Sequence, residues 1–156
     1  MQNQKKVLIV MGSESDRQTL EHMQPYLDYF GISADWHVSS AHRQPDATAK
    51  LANEAADNGY ALIIAAAGMA AHLAGACAAH SLLPVIAIPL AASSLQGMDA
   101  LLSSVQMPAG IPVGVTTIGK PGAINAACLS ARILAVTNPE ILVKLEEFRQ
   151  NGSKLP

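Results

Sequence analysis

Continuous apolar runs alternate along this chain with stretches whose apolar residues recur every three or four positions. The runs read as strands buried on both faces, the periodic stretches as amphipathic helices. "KVLIVM" (6–11) is the first strand, ended by Gly12. Leu20, Met23, Leu27 and Phe30 mark a helix over 17–30, which Gly31 stops in the C-cap role. A second strand is predicted over 33–40. Pro45 and Asp46 then suit the first turn of a helix running to Asn58-Gly59. "YALIIAAA" (60–67) is the third strand, followed by an Ala-rich helix over 70–79. "PVIAIP" (84–89) is the fourth. A loop and short helix occupy 91–105, and "IPVGVTTI" (111–118) is the fifth strand. One helix is predicted over 120–136 and a last one over about 139–151.

Strands buried on both faces and alternating with helices form a parallel sheet covered on each side. No repeat, low-complexity tract or linker interrupts the pattern, and 156 residues fit one domain, 1–156. Ligands in such sheets bind beyond the carboxyl ends of the strands. That rule selects the loops at 12–16, 39–45, 66–72 and 90–97.

Composition narrows the function classes. Half the residues are hydrophobic and 14% are charged, enough for a solid core with apolar surface left for subunit contacts. The net charge of -2 and the absence of a basic stripe give no reason to expect nucleic-acid or membrane binding. A small anion still fits, because local charge and helix ends can hold it. Cys77 and Cys128 form no metal-binding spacing, so no metal site is expected, and scattered thiols suit a reducing cytoplasm. The opening "MQNQKKVLIVMG" is too short an apolar run for a signal peptide or membrane span.

Three of the selected loops carry candidate chemistry, each with a bland alternative. In "MGSESD", Ser13 and Ser15 offer hydroxyls and amides at a helix start, and Asp16 can accept from ligand hydroxyls such as those of a ribose. The same residues suit plain helix capping. In "SSAHR", Ser40 and Arg43 can hold a phosphate, and His42 can move protons, since a free histidine titrates near ~6.5. The alternative is an N-cap serine beside an exposed His and Arg. In "AAAGMAAHLAG" (65–75), small residues let a ligand or a backbone approach closely, with His72 in the first turn of the following helix. The alternative is an Ala/Gly-rich helix buried between subunits. Trp36 and His37 read as core or interface, His22 and His80 as surface, Asp99 as a cap, and "GMDALLSSVQMP" as a packed helix.

"MGSESD", "SAHRQPD", "AAHLAG", "SSVQMPAGIPVG" and "IGKPGAINAA" occur in this order on one chain. Together they resemble the N5-carboxyaminoimidazole ribonucleotide mutase family of purine biosynthesis, also described as the catalytic subunit of phosphoribosylaminoimidazole carboxylase. The resemblance runs from about Val7 to Phe148. It implies a three-layer αβα, flavodoxin-like fold and a homo-octamer. It also implies conversion of N5-carboxyaminoimidazole ribonucleotide to 4-carboxyaminoimidazole ribonucleotide without metal or organic cofactor. By motif match, Ser13, Ser15, Asp16 and Arg43 bind the nucleotide, with Ser40 near its phosphate. The same match implies that His42 is the acid-base residue. His72, Leu73 and the loop holding Ala67, Gly68 and Ala71 wall the reacting end. A related type, which carboxylates aminoimidazole ribonucleotide directly with carbon dioxide, tends to carry Lys at Arg43 and a Ser-Asn pair near "AAHL". Arg43 and His72 therefore favour the mutase. The chain departs from the usual pattern at Ala66 and Met69, which replace glycines, at Ala74, which replaces proline, and at Gln44, which replaces threonine.

Overall fold

A computed structural model describes residues 5–156; the reading of the first four residues lies outside them. Five parallel strands form one sheet: β1 (Lys6–Met11), β2 (Ser33–Val38), β3 (Leu62–Gly68), β4 (Val85–Leu90) and β5 (Gly114–Val115). Their order is β2-β1-β3-β4-β5. This is the flavodoxin-like doubly wound order, which reverses direction between β1 and β3. The helices are α1 (Arg17–Leu20), α2 (Gln24–Phe30), α3 (Pro45–Asn53), α4 (Leu73–His80), α5 (Met98–Val105), α6 (Lys120–Ala135) and α7 (Pro139–Gln150).

Successive strand residues point to opposite faces, so each central strand supplies two cores. Val7, Ile9 and Met11 join Ile64, Ile86 and Ile88 under α2, α6 and α7, which contribute Leu27, Ala127 and Ile141. Leu8 and Val10 join Ile63, Ala65 and Ala87 on the other face, under Ala52 of α3 and Cys77 of α4. The result is three layers, as predicted.

Several elements differ from the periodicity. The helix predicted over 17–30 is broken by a 3-10 turn at Glu21–Met23, because Pro25 has no N–H to donate back to the preceding turn. The helix from Pro45 is regular only to Asn53, and the chain reaches Gly59 through turns. The fifth strand, predicted over 111–118, pairs only at Gly114–Val115. It has a single neighbour, and Pro112 cannot donate to a ladder. β2 lies at the other edge, so it is not buried on both faces: Trp36 is partly buried against the first core, and His37 is exposed. No helix among the described residues is long and apolar enough to cross a membrane.

Candidate active site

The carboxyl ends of β1, β2, β3 and β4 face the same way, and the loops leaving them enclose a cleft of about 510 Å³. The size suits a small ligand. Two other surface clefts are larger, about 610 and 650 Å³, but neither gathers comparable chemistry. Of these three, this one alone combines hydroxyls, a carboxylate, a guanidinium and two imidazoles among the described residues.

The loop after β1 is held by its own polar groups. Gly12 donates its amide to Ala66 O at 3.1 Å, tying the turn to β3. Ser13 and Asp16 then cap each other: the Ser13 amide donates to Asp16 Oδ2 at 3.0 Å, and Ser13 Oγ accepts from the Ser15 amide at 3.3 Å. The Ser15 hydroxyl adds a bond to Ser13 Oγ at 2.9 Å. Capping and a place in the cleft thus hold together, since Ser13, Ser15 and Asp16 all line it.

Burial raises the Asp16 carboxyl above its ordinary value, and the Ser13 amide only partly offsets this. The neutral form is favoured in the folded chain, while the unfolded chain ionises first. Stability from this group is therefore present below the ordinary value of 3.8 and is lost as pH rises through the raised one. Asp16→Asn keeps an oxygen for the Ser13 amide and removes the charge. Thermal melts at several pH values are expected to show the wild type losing ground to this variant as pH rises from about 4. Equal pH profiles would remove Asp16 as a strained group.

The loop after β2 brings Ser40, His42 and Arg43 to the same cleft. Ser39 anchors it, donating its amide to Met11 O at 2.9 Å and sharing a buried hydroxyl contact of 2.7 Å with Thr48. The Ser40 hydroxyl accepts the Arg43 amide at 3.3 Å, so it caps this turn rather than helix α3, whose N-cap is Gln44. Among the described residues no carboxylate lies within ion-pairing distance of the Arg43 guanidinium. Its charge is open to an anion.

The loop after β3 supplies the opposite wall. Ala67, Gly68, His72 and Leu73 line the cleft, and Met69 and Ala70 join them. Ala71 does not: it is buried behind the wall, with its amide held by Ser103 Oγ at 2.9 Å. Helix α4 starts at Leu73, so His72 is its N-cap rather than part of the first turn. From there His72 Nδ1 meets His42 Nε2 at 2.6 Å, with the rings edge to face and their centroids 4.7 Å apart. One ring donates and the other accepts, so at least one imidazole is neutral while the bond stands.

Sequence reasoning missed Ala92 and Ser103. Ala92 lines the cleft from the loop after β4, which the strand-end rule had selected without naming a residue. Ser103 reaches Ala71 from within α5, and no local pattern marks it. The lone thiols take no part: Cys77 is buried and pushed up to about 12. No group of three or more His, Cys, Asp or Glu is placed to hold a metal among the described residues.

The sequence profile of AIR carboxylase matches residues 6–154. The chain belongs to the AIR carboxylase family. Curated relatives named N5-carboxyaminoimidazole ribonucleotide mutase include one from Pseudomonas aeruginosa, 51% identical, with 94% of this chain and 90% of the relative covered. Another, from Escherichia coli, is 46% identical, with 95% and 88% covered. The crystal structure of Treponema denticola PurE superposes with a TM-score of 0.85 at 29% identity, covering 95% of this chain and 91% of that one. The matched residues include all four cleft loops.

Proposed function

We propose that this chain converts N5-carboxyaminoimidazole ribonucleotide to 4-carboxyaminoimidazole ribonucleotide, a step of purine biosynthesis. The single observation that carries this reading is the His42–His72 pair, which lines one cleft with the Ser13–Asp16 turn in a chain 45–51% identical to relatives bearing the mutase name. The substrate is a carbamate on an exocyclic nitrogen, and the product carries the carboxylate on ring carbon four.

His42 protonates the departing nitrogen. The N–C bond breaks, its electron pair stays on nitrogen, and carbon dioxide is released inside the cleft. The electron-rich ring carbon captures it, and His42, now neutral, removes the proton left on that carbon. One imidazole thus serves as acid and then as base. The hydrogen bond between His42 and His72 keeps the ring of His42 oriented through both steps. Arg43 and Ser40 hold the phosphate, Asp16 and the serines take the ribose side, and the tether keeps the heterocycle at the same imidazole throughout. The small residues Ala67 and Gly68 leave room for carbon dioxide and exclude water.

The reading is tested by supplying the carbamate nucleotide in bicarbonate-free buffer and following the C-carboxylated product. Turnover without bicarbonate supports the mutase. Product formed only from the decarboxylated nucleotide plus bicarbonate assigns direct carboxylation instead. Arg43→Ala is expected to weaken nucleotide binding by about 1.5–3 kcal/mol, the scale of a lost charged hydrogen bond, with a smaller effect on kcat. Calorimetric titration with the substrate nucleotide measures this.

The octameric assembly implied by the family resemblance and the cytoplasmic location suggested by the two scattered thiols belong to the same proposal. Leu95, Met98, Leu102 and Val105 stand on one side of α5 and the turn before it, each at least 50% exposed. A stripe of that kind favours a protein partner over water. Light scattering is expected to give about eight times the 16.3 kDa of one chain; a monomer overturns the assembly.

A further inference from the structure

Among the described residues lining the cleft, Met69 alone carries a side chain on left-handed backbone, with φ of 55°. That path is imposed from both sides. At Gly68, a Cβ would come within 2.4 Å of the Ala92 Cβ and 3.2 Å of the Leu90 carbonyl oxygen, so β3 ends pressed against the next loop. Two residues beyond Met69, the Ala71 amide is fixed on Ser103 Oγ, which in turn donates to Asp99 O at 2.7 Å. The chain therefore crosses position 69 on a set course that glycine would follow without strain. A long apolar side chain stands there instead, 60% exposed on the cleft wall. Its wall neighbours Ala67, Gly68 and Ala70 have no reach, and Leu73 is turned into the core, 2% exposed. Backbone strain kept at a site, where a smaller residue would relieve it, points to a use for the side chain.

We propose that Met69 is a retention residue: its flexible thioether chain covers the apolar end of the cleft and holds carbon dioxide between release from nitrogen and capture by ring carbon. The inference rests on the mutase reading above. Carbon dioxide is small and uncharged, so the histidines, serines and arginine give it no anchor, and escape to water competes with capture. A long, adaptable apolar chain slows escape without blocking nucleotide entry. Met69 forms and breaks no bond itself. It acts on the partition of an intermediate, not on the proton steps.

The test uses the full chain in bicarbonate-free buffer. The readout is the fraction of consumed carbamate nucleotide that appears as free decarboxylated nucleotide, after subtraction of the uncatalysed loss. Met69→Ala and Met69→Gly are expected to raise this fraction about fivefold, which is about 1 kcal/mol of differential barrier at 1.36 kcal/mol per tenfold. KM should stay close to that of the wild type, and Met69→Leu should restore retention. Met69→Gly takes the left-handed path freely, so folding is secured in at least one variant. An unchanged fraction in both small variants, with the wild type making product, overturns the role of Met69 alone. A wild type that makes no product from the carbamate overturns the mutase reading, and this role with it.

Discussion

His42→Asn is expected to lower kcat by roughly 10²–10⁴-fold, the usual range for loss of a positioned acid-base group, while nucleotide binding survives. The asparagine amide can still hydrogen-bond to His72, but it neither donates a proton to the departing nitrogen nor takes one from ring carbon. Binding should persist because the phosphate and ribose contacts assigned to Arg43, Ser40, Ser13 and Asp16 come from other side chains on two loops. Rapid-mixing kinetics with a parallel binding titration separates the two effects. A variant that keeps most of its turnover ends the assignment of His42. His72→Asn serves as the companion: it should leave turnover measurable and shift its pH profile, because His72 acts through the 2.6 Å bond to His42. If both variants fall equally with unchanged pH profiles, the pair acts as one proton carrier rather than as catalyst and support.

Gly122→Ala is expected to destabilise the fold by about 3–4 kcal/mol, the upper end for overpacking, and to lower Tm by roughly 10 °C. The cause is space rather than backbone conformation. A Cβ at Gly122 would lie 1.7 Å from the Thr117 carbonyl oxygen and 2.8 Å from its carbon. The segment cannot retreat easily, because Thr116 donates to Ala87 O at 3.0 Å and Gly119 to Pro89 O at 2.9 Å. Moving Thr117 means loosening the bonds that tie the segment after β5 to β4. Denaturant melts measure the effect, and a loss under about 1 kcal/mol would show that the α6 start yields more readily than its contacts imply.

Much of the fold was legible because strand and helix burial write different periods into the chain. β1, β3 and β4 stand close to the apolar runs that predicted them, and α6 and α7 lie within a residue or so of their predicted ends. The break at Glu21–Met23 had a signal in Pro25, which apolar spacing overrode. The shortness of β5 had a signal in Pro112, but its edge position had none. The capping alternative for "MGSESD" and the ligand alternative were not exclusive. Ser13 Oγ accepts from the Ser15 amide and Asp16 Oδ2 from the Ser13 amide, and all three residues still line the cleft.

The residues themselves determined the alternation of elements, the helix starts at Pro45 and Pro139, and the clustering of polar groups just past strand ends, because each follows from local burial and hydrogen bonding. Tertiary structure alone decided that His42 touches His72 across 30 positions, that Ala71 turns away onto Ser103, and that Met69 is held on left-handed backbone beside Ala92. These depend on strand order and on which loops the parallel register brings level. No side chain encodes that order by itself; it emerges when two apolar faces of one sheet are buried at once.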